Sequence, residues 1–188
     1  MPWFTDMKNT PAKKAALMGV FGAEAIVLGF LESLIPPVVP IPGVKLGFSN
    51  IVTMFCASAL GAKYALGVTL FKALFALLTR GLTAFIMSLC GGLLSLAAML
   101  VLFRFADKKA GYIGIGVICA VLHNAGQLCV ALIMLGSSVL SLAPLLLAAG
   151  AATGVVTGTV LKFTNPVLLR QTEFINNGTA KRGTVNKE

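Results

Sequence analysis

The chain has 188 residues, of which 57% are apolar and only 11% charged, yet its formal net charge is +9. Soluble domains carry roughly 25% charged residues, and a single water-soluble domain of this size cannot hide so much apolar surface. Disorder, a disulfide scaffold and a conventional soluble enzyme fit poorly, and sparse bases between long apolar runs point to a membrane rather than to nucleic acid.

A membrane-spanning helix needs about 20 mainly apolar residues. Residues 1–14 are polar and basic, and read as a cytoplasmic segment ahead of a retained first helix rather than a cleavable signal. Six apolar segments follow: Ala15–Ile35, Val44–Leu60, Ala62–Thr79, Leu82–Phe103, Gly111–Leu135 and Val139–Leu161. The second and third are short, which leaves open a tilted or re-entrant path. Residues 162–188 form a basic polar tail, expected without regular structure. The fold class is therefore an all-α integral membrane protein of about six helices, with one transmembrane domain over 15–161.

Lys and Arg set the orientation. Twelve of the fifteen bases fall at alternate sites. These are the N-terminal segment (Lys8, Lys13, Lys14), the turn at Lys63, the loop at Arg104, Lys108 and Lys109, and the tail from Lys162 onward. Both termini are thus expected in the cytoplasm. The exceptions are Lys45, Lys72 and Arg80.

An ionisable group at membrane depth is costly unless paired or wetted, so each one is a functional hypothesis. Glu24 lies near the middle of the first helix, as a partner for an intramembrane base such as Lys72 or as a cation or ligand site. Glu32 lies near its outer end. The loop that follows has four prolines in seven residues, Pro36 to Pro42, which forbids a regular helix and favours stiff extended backbone. It suits a lid over an outer pocket, with Lys45 and then Asn50 beyond it. Lys45 has a plainer reading as a snorkelling base. Lys72 needs a carboxylate, water or an anionic ligand, whereas Arg80 lies at the outer boundary. His123, Asn124 and Gln127 share a broad polar face of the fifth helix. That face is either a cavity wall or a set of interhelical hydrogen bonds, and the nearby outer charges favour the cavity.

Small-residue stripes mark close helix packing. One is Ala15, Gly19 and Ala23; the other is Gly150, Gly154 and Gly158. The cysteines, Cys56, Cys90, Cys119 and Cys129, are dispersed in apolar segments beside a single His, so no metal site or bound cofactor is expected. The chain has no phosphate-binding G-x-x-x-x-G-K-[ST] loop, so any ATP-driven step belongs to a partner.

The run Pro42-Gly43-Val44-Lys45-Leu46-Gly47-Phe48-Ser49-Asn50-Ile51-Val52, the stretch Gly91-Gly92-Leu93-Leu94-Ser95 and the segment His123-Asn124-Ala125-Gly126-Gln127 resemble the heptaprenyl diphosphate synthase component I family, also called the Gx transporter family. The resemblance covers roughly residues 14–162. That family looks like the substrate-binding S components of energy-coupling factor transporters. The resemblance implies a bacterial cytoplasmic-membrane protein that captures a small vitamin-like molecule from outside. It also implies docking on a T-component membrane protein with two ATPase subunits. By the same resemblance Ala15, Gly19 and Ala23 would dock the partner, and Lys45, Asn50, His123, Asn124 and Gln127 would touch the ligand.

The family label also implies an alternative: a membrane accessory in isoprenoid or quinone metabolism that binds an isoprenoid or quinone-related lipid. A third reading is a component of flavin- or quinone-linked electron transfer. Prenyl chain elongation uses paired aspartate clusters to hold magnesium diphosphate, and this chain has two Asp in all, Asp6 and Asp107. It is therefore not expected to be the enzyme. Expected associates are membrane lipids, the small ligand and partner proteins, with no nucleic acid.

Overall fold

A computed structural model describes residues 11–34, 49–105 and 111–185. Among them every regular element is helical: α1 Pro11–Ser33, α2 Asn50–Ala59, α3 Ala62–Arg80, α4 Leu82–Phe105, α5 Tyr112–Leu135 and α6 Ala143–Val185. A 3-10 turn, Ser137–Leu142, leads into α6. Among the described residues four stretches are long and apolar enough to cross a membrane: Ala62–Arg80, Leu82–Arg104, Tyr112–Leu135 and Ser137–Thr164. The expectation of a multi-pass helical membrane protein therefore holds. Aliphatic and aromatic side chains such as Val20, Leu78, Val101, Ile133 and Phe163 face outward; in a water-soluble domain such a surface would aggregate, and in a bilayer it meets lipid.

Two elements differ from the sequence reading. The second segment was expected over Val44–Leu60, but α2 has ten residues, Asn50–Ala59. Ten residues at 1.5 Å each cover about 15 Å, half of a bilayer core. The Pro-rich stretch, with Lys45, lies outside the described residues. At the other end, α6 passes the expected boundary at Leu161 and continues to Val185. Extending an existing helix adds one hydrogen bond per residue without a new nucleus, so a polar sequence can continue an apolar span.

The short α2 is the most enclosed element. Val52, Met54, Cys56 and Ala57 are buried, together with Asn50 and Thr53. A helix covered on nearly all sides belongs to the interior. Around it, α3, α4, α5 and α6 pack in consecutive order, and α2 also touches α6. The first helix leans mainly on α3. One apolar cluster joins Ala25, Met54, Ala65, Val68, Met99 and Cys119; a second joins Met87, Val130, Ala131, Val139 and Leu146. Consecutive helices turn sharply at Gly61 (φ 100°) and Gly81 (φ 83°), a left-handed backbone that L side chains resist.

Close approach at glycine holds the α4–α5–α6 layer together. A Cβ at Gly116 would stand 2.5 Å from the Gly154 carbonyl oxygen, and one at Gly154 would stand 2.5 Å from the Val117 Cα. Gly126 meets Gly91 on α4 in the same way. The Gly150, Gly154 and Gly158 stripe is thus an internal seam against α5. The Ala15, Gly19 and Ala23 stripe is different: all three are exposed, and a Cβ at Gly19 would meet nothing within 4 Å. Gly154→Val should lower the thermal unfolding midpoint of the purified protein by the equivalent of about 1–3 kcal/mol, the usual cost of overpacking. Gly19→Val should leave it nearly unchanged, since nothing in the chain must move.

Candidate functional site

Helical periodicity assembles a cleft between α1, α3, α4 and α5. On α1, Ala25, Gly29 and Glu32 follow one another at four and three residues and share a face. On α3, Lys72 and Phe75 are three apart, and Arg80 lies a little over two turns beyond Lys72. On α5, His123 and Gln127 are four apart. These residues, with Ile26 from α1, Ser49 just before α2 and Ser88 from α4, line a narrow open cleft.

Among the described residues Lys72 is the deepest cation, 9% exposed. Its Nζ donates to Asn50 Oδ1 at 2.6 Å, tying α3 to the first residue of α2. A buried ammonium needs such acceptors because nothing else replaces its water. Asn50 keeps its Nδ2 without a hydrogen-bond partner, as does Thr53 its hydroxyl one turn later. Nearer the mouth, Arg80 and Glu32 are in electrostatic contact; Glu32 is buried and Arg80 exposed.

The opposite wall is neutral. The Gln127 side-chain amide Nε2 and the His123 imidazole Nε2 are hydrogen-bonded at 3.2 Å. His123 Nδ1 and Gln127 Oε1 are buried without a hydrogen-bond partner. Space for the pair comes from α4: a Cβ on Gly91 would fall 2.6 Å from the His123 carbonyl oxygen and 3.1 Å from Gln127 Cγ. The adjacent Gly92 receives Thr69 of α3 instead, at 2.7 Å from the place of its Cβ. The Gly91-Gly92 pair therefore lets α4 sit close to both neighbours.

The site residues expected from sequence separate into groups. His123 and Gln127 line the cleft with Lys72, Glu32 and Arg80, and Asn50 holds Lys72. Asn124 does not line it. Its Nδ2 donates to the Leu146 carbonyl at 2.8 Å, in the space that Gly150 leaves by having no side chain. That contact is an interhelical bond between α5 and α6. Glu24 is exposed on α1 and is not part of the cleft wall. Lys45 lies outside the described residues. Two of the dispersed cysteines, Cys56 and Cys119, are buried; Cys90 and Cys129 are exposed; all four are free thiols.

Sequence reasoning missed Ser49, Phe75 and Ser88. The serines carried a usable signal, a polar side chain in or beside an apolar helix. Phe75 carried none, because an aromatic residue in a span is as suited to lipid as to a cleft.

Residues 21–164 match a family model described as Heptaprenyl diphosphate synthase component I, and the chain belongs to that family. No curated protein and no solved structure matches it.

Asn124→Leu should cost about 1–3 kcal/mol of stability by removing the α5–α6 hydrogen bond and stranding its geometry. Thermal unfolding in detergent reads this loss. Ligand retention at permissive temperature should be unaffected, in contrast to substitutions at His123.

Proposed function

We propose that this member of the family is a non-catalytic membrane component that holds a small polar-headed molecule in its cleft, in the service of isoprenoid or quinone metabolism, and works beside a separate partner subunit. The observation that carries the proposal is the cleft: Lys72, His123 and Gln127 are buried polar residues gathered along one open cleft inside a helical membrane protein. Intramembrane groups of this kind mark ligand or ion sites. The family description supports the metabolic setting, and a "component I" implies at least one further component. The scarcity of aspartate supports a binding role. Holding magnesium diphosphate for chain elongation takes acidic clusters, and the whole chain has two Asp.

In the same proposal the chain crosses a bacterial cytoplasmic membrane six times, with both termini inside. The cleft belongs to the end formed by the C-termini of α1 and α3 and the start of α2. Lys63, Arg104 and Lys162 belong to the other end by the alternation of helix direction. The positive-inside rule then turns the cleft to the outer side.

A second reading, the ligand-capturing subunit of an energy-coupling factor importer, is favoured by α1. Its Ala15, Gly19 and Ala23 stripe is uncovered, and small stripes in lipid suit close approach of another helix. In that case the partner is a T-component with two ATPase subunits.

Mass spectrometry of the chain purified gently from native membranes tests the first reading. An isoprenoid or quinone-related molecule should be retained by the wild type and reduced at least about tenfold in Lys72→Met or His123→Leu, about 1.4 kcal/mol or more. Retention unchanged in both variants would sink the cleft as the site. Affinity purification with the Ala23→Leu variant tests the second. Loss of co-purifying ATPase subunits, with ligand retention kept, supports the importer; absence of ATPase subunits from the wild-type preparation rejects it.

A further inference from the structure

Glu24 lies nine residues before Ser33, the last residue of α1, which is about 14 Å along the helix axis. With α1 as one of the six proposed spans, that depth is close to the middle of the hydrocarbon. The residue is exposed. Among the described residues it has no hydrogen-bond or ion-pair partner. The Cys56 thiol on α2 is within electrostatic reach and brings no balancing charge. Lys72, the partner expected from the sequence, is buried and donates to Asn50 instead. A carboxyl surrounded by acyl chains has nothing to hydrogen-bond, and ionisable groups in spans pair with something or mark a contact.

The side of α1 that carries Glu24 is otherwise suited to close helix packing. Val20, Val27 and Leu31 stand at i−4, i+3 and i+7 from Glu24 and are exposed with it. The row beside them is Ala15, Gly19 and Ala23, where a Cβ at Gly19 would meet nothing within 4 Å. A floor of small residues with a carboxylate at its edge lets another helix approach the backbone closely. A second copy of this chain fits that face poorly. Isologous pairing of two α1 helices sets Glu24 beside Glu24, and like charges repel. Heterologous pairing needs an outward base at mid-depth. The exposed bases among the described residues are Lys63, Arg80, Arg104 and Lys162, all at or near the ends of the apolar stretches.

We propose that the outward face of α1 around Glu24 docks a membrane-spanning helix of a different protein, which brings a Lys or Arg to the carboxylate within the bilayer. The inference rests on the reading that the chain works beside a separate partner subunit, and it names the contact: helix against helix inside the membrane, fixed by one ion pair. Such a pair also sets the register of the partner helix, because a slip of one turn parts the charges by about 5.4 Å. In hydrocarbon each charge would then be left without its partner, a strongly unfavourable outcome.

Photo-cross-linking in native membranes tests it, with p-benzoylphenylalanine in place of Val27 in the full chain. Peptide sequencing of the adduct should give a membrane-spanning segment of another protein, with a Lys or Arg within about one turn of the linked residue. Glu24→Lys should cut the yield of that adduct at least about tenfold, and changing the partner's base to Glu in the same cells should restore it. Thermal unfolding of Glu24→Lys, and its retention of the molecule that co-purifies with the wild type, should be unchanged, since the carboxylate faces outward. Should Glu24→Lys fail to fold, Glu24→Gln keeps the shape and should lower the yield at least about threefold. An adduct with a second copy of this chain, a linked segment without a base, or a yield indifferent to both substitutions overturns the inference. A partner that co-purifies with the wild type yet forms no adduct at Val27 rejects this contact and keeps the partner subunit. A wild-type chain that leaves gently solubilised membranes with no partner at all rejects both.

Discussion

Hydrocarbon offers no hydrogen bonds, so each polar group carried into this bundle must find its partner within the chain or in something bound to it. Most of the interior obeys by local means. Thr69, Thr153 and Thr157 return their hydroxyls to backbone carbonyls three or four residues earlier. Asn124 reaches across to α6. Lys72 reaches across to α2. His123 and Gln127 satisfy one atom each by bonding one another, and keep one atom each over. Asn124 Oδ1, Asn50 Nδ2 and the Thr53 hydroxyl are likewise buried without a hydrogen-bond partner, so the unmatched atoms gather around α2 and α5.

The same distinction sets the limit of what the sequence discloses. The apolar spans were legible from length and hydropathy, and α3, α4 and α5 begin and end within two residues of their expected bounds. The shortness of α2 was not, because the apolar residues ahead of Asn50 have the same composition as the helix itself. The continuation of α6 was hidden for the converse reason: polarity marks the end of a membrane core, not the end of a helix. The polar face of α5 was legible as a face, but its division was not. Asn124 and His123 are neighbours in sequence, 100° apart on the helix, and only the packed positions of α4 and α6 decide that one binds backbone while the other faces the cleft.

Glycine explains why that division is sharp. Gly150 and Gly154 bring the backbone of α6 against α5, close enough for Asn124 to reach a main-chain carbonyl. Gly91 brings α4 against the same helix one face round, beside His123 and Gln127. Two small-residue stripes of similar appearance therefore part ways. The one on α6 is consumed inside the chain, and the one on α1 is left on the surface.

The cleft inherits two unlike walls from this arrangement. On the α4–α5 side, backbones meet at glycine with no side chain between them, so a shift of one helix requires a shift of the next. The neutral hydrogen-bonding edge stands on that side. Across from it, α1 leans mainly on α3, through side chains such as Met18 beneath Gly67 and Phe71 beneath Gly22. Its Glu32 faces Arg80 near the mouth. Directional hydrogen bonds lose their value with small displacements, whereas charge attraction falls off only slowly with distance. The glycine-set wall therefore tolerates little displacement, whereas the charged contact across the cleft tolerates more.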